Sequence, residues 1–476
     1  MNAMYENSGA DILDALQTQR TSFQQDGLPS LSVRERRLMR LLKLVEDNEA
    51  AIVDAISADF QGRSAHETKL AELFVVRAGI RHALSHLGQW MRPRRVHTGL
   101  HFLPASNRLM PQPLGVVGIV SPWNYPLQLA LCPALAALAA GNRVLMKPSE
   151  LTPNFSHLLA KLVNDYFAPS ELFVINGGAD TASHFVAQKW DHLVFTGSTK
   201  VGRLVAKAAA ANLTPVTLEL GGKSPAIVDA TCDLDVAAPR IAYGKFMNAG
   251  QTCIAPDYLL VPKGSAKRVA DAIQSATSGM FPSLKYNADY TSIISDRHRD
   301  RLNGMIDDAR SKGAAVIHVN PAGETFGSET RKIPPTLVLN PTMDMTLMQE
   351  EIFGPILPIV EYEELNDAIS YINAQDHPLA LYWFGKSSES RQRVLEGTTA
   401  GGVTINDCLW HLVQEDQPFG GVGASGMGAY HGQWGFDRFS HLKPIFHQPR
   451  FNGTFLLRPP YGPTFQHVLG LLKKLT

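Results

Sequence analysis

Residues 114–150 read LGVVGIVSPWNYPLQLALCPALAALAAGNRVLMKPSE, and their pattern decides the fold. A continuous apolar run (114–120) leads into a helical one (126–140) and then a second apolar run (143–147). Pro126 stands where the helix would start, since a missing N–H costs nothing in a first turn, and Gly141 stands where it would stop. Downstream, apolar runs at 172–175, 192–195 and 215–219 alternate with helical segments at 154–167, 179–188 and 199–210. Strands apolar on both faces and separated by helices predict a parallel sheet covered on both sides. That is the α/β, doubly wound Rossmann-type architecture, which binds nucleotides at its strand ends.

Upstream of this stretch, Ser32-Val-Arg-Glu35 has the form of a capping box, followed by Leu38, Leu41, Leu42 and Val45 at helical spacing. Two further helices carry Ile52, Ile56 and Phe60, then Leu73, Val76, Ile80 and Leu87. Residues 97–113 break the periodicity and predict an exposed hairpin. Beyond the first sheet, strands are expected at 226–229, 258–262, 379–384 and 401–405. Helices are expected at 235–248, 265–278, 297–312, 364–374 and 387–396, which makes a second α/β unit. The faintly amphipathic tail at 468–475 predicts a short docked helix rather than a membrane anchor.

With 476 residues and 45% hydrophobic content, the chain has ample material for two or three domains. Lys plus Arg equals Asp plus Glu at 44 each, so no bulk charge favours nucleic acid or an anionic membrane. Cys132, Cys232, Cys253 and Cys408 have neither CxxC nor zinc spacing, so no metal site and no disulfide framework are expected. The polar, acidic N-terminus is unlike a signal peptide, and a cytoplasmic protein is expected.

Residues 214–225, TPVTLELGGKSP, form a strand that ends in a carboxylate, Glu219. Gln251-Thr252-Cys253 places a thiol among small and polar residues. A base and a nucleophile of these types are what covalent acyl chemistry requires. A buried core cysteine is the plainer reading of Cys253. Asn124, between Trp123 and Tyr125, has a neutral amide suited to a developing oxyanion, or simply makes a turn. Phe195-Thr-Gly197-Ser198 with Gly202 gives a small-residue turn into a helix, where backbone N–H groups can meet a pyrophosphate. Lys147 and Glu150 close the strand 143–147, as ribose contacts or as a surface ion pair. Two phosphate signatures are decoys. Gly222-Lys223-Ser224 lacks the earlier glycine of a P-loop, and the GxGxxG at 421–426 has no βαβ unit after it.

Taken together with Glu350-Glu351-Ile352-Phe353-Gly354-Pro355, and with the spacing from Glu219 to Cys253, these motifs resemble the aldehyde dehydrogenase family nearly end to end. The glycine-rich segment from Pro418 to His431 and the extended tail resemble its class 3 branch and, within that, the bacterial coniferyl aldehyde dehydrogenases. The resemblance implies NAD-dependent oxidation of an aldehyde, NADP being possible as the cofactor. Cys253 would form a thiohemiacetal and then a thioester, Asn124 would hold the oxyanion, and Glu219 would activate water. It implies nicotinamide-side contacts from Glu351 and Phe353, adenosine contacts from Lys147 and Glu150, and pyrophosphate contacts near Gly197, Ser198 and Gly202. Tyr125 and Trp410 would line an apolar substrate funnel suited to an aromatic or medium-chain aldehyde.

The implied organisation is an NAD-binding domain (1–96 and 114–219, with 406–425 returning to it) and a catalytic domain (220–405). An oligomerisation element (97–113 and 430–450) serving a homodimer and a tail (451–476) complete it. The competing reading is a cysteine-nucleophile hydrolase or thioesterase. It would use the same thiol and base but leave Lys147, Glu150, Gly197 and Glu351 without a task.

Overall fold

The computed structural model describes residues 6–475. Three sheets organise it. The first has five parallel strands in the spatial order Val216–Leu220, His192–Gly197, Val116–Val120, Arg143–Lys147, Leu172–Val174. The short strand Gly426–Met427 adds an antiparallel edge beside Val216–Leu220. The chain therefore starts in the middle, winds one way, and then crosses to the other side. The switch point lies between Val116–Val120 and His192–Gly197, and ligands of such sheets bind outside the strand ends there.

Helix Pro126–Ala140 is buried along its whole length. It packs against helices Leu31–Asp47, Val75–Trp90 and Gly432–Arg438, so it is apolar on every side rather than striped. The predicted bounds at 126–140, 143–147, 199–210 and 258–262 coincide with the observed ones. The capping box at Ser32 does not form: the helix begins one residue earlier, at Leu31, behind Ser30. A capping box does form at Ser8 and Asp11, starting helix Gly9–Asp26, which the sequence reading passed over. That helix buries only Ile12, Leu16 and Gln19, too thin a stripe to register as periodicity.

The second sheet runs Ala315–His318, Thr336–Leu339, Ile356–Tyr362, Tyr258–Pro262, Pro225–Val228, Ala380–Phe384, Gly402–Ile405. All its pairings are parallel except that of the edge strand Ala315–His318. Thr336–Leu339 and Ile356–Tyr362 were absent from the sequence reading. Pro335 and Pro341 flank the first, Pro355 precedes the second, and Pro358 lies within the second, where it reads as a strand breaker.

A hairpin does form, but its first strand, Arg94–Val96, precedes the expected 97–113; Ser106–Pro113 is the second, and Ser440–His447 joins as a third antiparallel strand. Leu100, Phe102 and Leu103 at the turn stand exposed, with Phe102 edge-on to Phe446. The tail forms helix Pro463–Leu475, which packs on the turn Gly453–Leu457. Among the described residues no helix is long and apolar enough to cross a membrane.

Candidate active site

A cleft of about 1000 Å³ opens at the switch point, between the two large sheets. Its walls bring together Asn124, Gly197, Ser198, Glu219, Cys253, Glu351 and Phe353, which the sequence distributes over some 230 positions. Cys253 also lines a second, narrow cavity of about 70 Å³, walled by Leu70, Phe74, Met247, Leu412, Val413 and Phe419 among others. Tyr125 and Trp410 line that tunnel as well. Cys253 thus borders a broad cleft of mixed polarity and an apolar tunnel.

The loop carrying the thiol is held in an unusual backbone conformation. Asn248, Ala249 and Gly250 follow one another at φ 52°, 51° and 74°. Left-handed non-glycine residues cost about 1–3 kcal/mol each and persist only where the surroundings over-determine them. Here they do. The Asn248 backbone N–H donates to Glu67 at 3.1 Å, and its side-chain amide donates to the Asn124 carbonyl oxygen at 3.0 Å. The Gln251 amide donates to Ser292 O at 3.1 Å and accepts from Ile294 N–H at 3.0 Å. Gly250 is required at its position, because a Cβ there would lie 2.3 Å from the Gly354 carbonyl oxygen.

Asn124 is buried, and its amide donates to the Gln251 carbonyl oxygen at 3.1 Å. An amide has two N–H groups, so a second donor remains for a ligand. The hydroxyls of Tyr125 and Thr252 share a hydrogen bond at 2.7 Å, a second tie to the thiol's loop. Behind them Arg63 and Glu72 form a fully buried ion pair at 2.8 Å. Arg63 donates to the Asn124 carbonyl oxygen at 2.9 Å and lies over the Tyr125 ring. Glu72 accepts from the N–H groups of Leu127 and Gln128, at 2.7 and 3.2 Å, where the positive end of helix Pro126–Ala140 favours a carboxylate.

Glu219, the penultimate residue of its strand, is only 3% exposed, and among the described residues neither carboxyl oxygen has a hydrogen-bond partner. Burial holds it well above the usual carboxylate range. Buried polar atoms left open this way belong to sites that a water or ligand completes. Burial, then the nearby Glu351 and Glu219 carboxyls, push the Cys253 thiol up to about 12, against a counter-pull from the N–H groups of Cys253 and Ile254.

The cleft fits a dinucleotide. The helix Thr199–Ala210 points its N-terminus at it, and Lys200 and Arg203 in its first turns line the wall. Backbone N–H groups and two cations there suit a diphosphate. Ser198 caps that helix, accepting from Val201 N–H at 3.4 Å. Gly202 lies off the cleft lining: a Cβ there would come 2.5 Å from Leu220, so its smallness lets helix and strand approach. Lys147 and Glu150 also lie outside the lining, paired at 3.3 Å at the end of the neighbouring strand.

The Glu351–Phe353 loop is fixed by several groups. Arg301 donates to the carbonyl oxygens of Glu351 (3.2 Å) and Ile352, and Lys223 donates to Leu347 O (2.8 Å) and Glu350 O (3.0 Å). Lys223 also pairs with Asp257, which accepts from Ile352 N–H at 3.0 Å. The Glu351 carboxyl rests against Gly221, where a Cβ would be 2.1 Å away, and burial raises it to about 8.

Lys200, Arg203, Arg301, Arg63 and Glu72 were not identified in the sequence. The first two had a signal, as cations in the first turns after a small-residue turn. The others act across intervals that no local pattern reveals.

A crevice that fits a dinucleotide shares a cysteine with an apolar tunnel and has a buried carboxyl beside it, an arrangement that suits a nucleotide-dependent enzyme. Residues 2–445 match the aldehyde dehydrogenase family model. The chain belongs to that family, as an oxidoreductase acting on aldehydes with NAD(P). It is 47% identical over 468 residues to a probable coniferyl aldehyde dehydrogenase of Caulobacter vibrioides, covering 97% of this chain and 96% of that protein. It is 45% identical over 467 residues to a coniferyl aldehyde dehydrogenase of a Pseudomonas species, covering 98% and 97%. A solved substrate-bound state of AldH from Staphylococcus aureus superposes with a TM-score of 0.92 at 36% identity, covering 97% of this chain and 99% of that one. The hydrolase reading is not favoured by these relatives.

Proposed function

We propose that this enzyme oxidises an aromatic aldehyde of the coniferyl type, or a medium-chain aldehyde, to the carboxylate with NAD, in the cytoplasm. The observation that carries the reading is that Cys253 lines both cleft and tunnel. The aldehyde approaches along the tunnel, whose apolar wall suits a ring or alkyl chain. The Cys253 thiolate adds to the carbonyl carbon. The new alkoxide is held by the second N–H of Asn124 and the backbone N–H of Cys253. NAD, bound in the cleft, supplies a hydride acceptor. The resulting Cys253 thioester is opened by water that gives its proton to Glu219, releasing the acid and the thiol. In sum an aldehyde, water and the oxidised cofactor become a carboxylate, reduced cofactor and two protons.

Residues 1–96, 114–219 and 406–425 would carry the cofactor, and 220–405 the chemistry. Glu351 and Phe353 would set the nicotinamide side, with Gly197, Ser198 and Gly202 shaping the diphosphate turn. Lys147 and Glu150 would meet the adenosine ribose. Glu150 would repel a 2′-phosphate, which supports NAD over NADP, and comparing kcat/KM for the two cofactors tests this. The exposed apolar turn at Leu100–Phe102, with Phe446, supports a homodimer formed through 97–113 and 430–450, tested by light scattering. The activity itself is tested by following reduced cofactor with a panel from short aliphatic to cinnamyl aldehydes. No reduction with any of them, from folded protein, overturns the reading.

A further inference from the structure

The tunnel behind Cys253 has few groups able to hydrogen-bond. The Tyr125 and Thr252 hydroxyls satisfy each other, and Trp410 stands 42% exposed. Gln128 differs from these. It lines the tunnel and is 3% exposed, yet among the described residues its side-chain amide makes no hydrogen bond. Its backbone is fixed, because its N–H and that of Leu127 both donate to the buried Glu72 carboxylate. Leu129, its neighbour, lines tunnel and cleft alike, so Gln128 sits beside the passage to the thiol.

An amide that meets an apolar wall with no protein partner keeps its donors and its acceptor open to whatever enters the tunnel. We propose that Gln128 is a specificity-determining residue whose amide pairs with an oxygen substituent, a hydroxyl or ether, carried by the aldehyde at a distance from its carbonyl. This rests on the reading that the aldehyde occupies the tunnel. Being donor and acceptor at once, the amide matches a phenol or an aryl ether equally. A hydrocarbon aldehyde leaves it unpaired. A site built to hydrogen-bond its substrate discriminates against the analogue lacking the group more strongly than an apolar pocket can.

The test compares kcat/KM for cinnamaldehyde and its 4-hydroxy-3-methoxy derivative in the wild type and in Gln128→Leu. The wild type is expected to favour the oxygenated aldehyde by about tenfold or more, and the leucine variant to bring the ratio close to one. A purely structural role would lower both values together and leave the ratio unchanged, and that result overturns the proposal. So does a wild type that treats the two aldehydes alike. Should Gln128→Leu not fold, Gln128→Met, unbranched and close in shape, serves for the same ratio. A folded wild type that oxidises neither aldehyde sinks the tunnel reading itself, which separates that failure from the failure of Gln128's role.

Discussion

The side-chain amide of Asn124, in the turn after strand Val116–Val120, donates to the carbonyl oxygen of Gln251 at 3.1 Å, two residues before Cys253. One N–H of that amide therefore orients the thiol's loop while the other stays available to a ligand. Removing the side chain removes both functions. Asn124→Ala is expected to lower kcat by about 10²–10³, the usual cost of one oxyanion donor, with cofactor affinity retained. Steady-state kinetics together with cofactor titration check this.

Glu219 has no hydrogen-bond partner among the described residues, and burial holds its carboxyl well above the usual carboxylate range. Replacing it with glutamine keeps the shape and removes the proton acceptor. Glu219→Gln is expected to give a burst of reduced cofactor, at most stoichiometric with enzyme, and then to stall. Intact-mass measurement would find the acyl adduct at Cys253. Because burial raises the carboxyl, its basic form grows in at higher pH than that of an ordinary carboxylate, so wild-type turnover limited by hydrolysis should still climb with pH where an exposed glutamate has finished ionising.

With the Cys253 thiol pushed up to about 12, almost none is ionised in the free enzyme at neutral pH. Only the thiolate reacts, and its fraction rises about tenfold per pH unit while pH stays below the pKa. Iodoacetamide labelling of Cys253 in the cofactor-free enzyme should therefore still be steepening between pH 8 and about 10, where an ordinary thiol levels off. Peptide mass spectrometry against pH reads this directly. A plateau near the ordinary thiol value would contradict it.

Arg63 and Glu72 are fully buried as a pair at 2.8 Å. Removing one partner leaves a charge without its counterion, which costs about 3–5 kcal/mol. Arg63→Met is expected to lose that much in urea unfolding. The double variant Arg63→Met with Glu72→Leu should lose less, because no lone charge is left. Since Arg63 also donates to the Asn124 carbonyl oxygen, the single variant should lower kcat in the fraction that remains folded.

The alternation of apolar runs and helices from 114 to 220 determined the first sheet by itself. A strand buried on both faces must be apolar throughout, and a helix crossing over it needs a start at Pro126 and a stop at Gly141, all of which are local demands. Glu219, Asn124 and Cys253 were legible for a similar reason, since each interrupts its surroundings with a polar or reactive group. The strand Ile356–Tyr362 was not, because Pro358 obscures it and only the pairing with Thr336–Leu339 shows that it belongs to a sheet. Gly202, expected near a pyrophosphate, lies off the cleft lining and packs against Leu220, a closeness that only the tertiary structure reveals. Tertiary structure alone decided that Arg63 and Glu72, near the N-terminus, hold Asn124, and that Gln128 faces the tunnel with its amide unpaired. Local pattern reports what each segment needs from its own backbone; hydrogen bonds and ion pairs between distant segments exist only once the chain has brought them within about 3 Å.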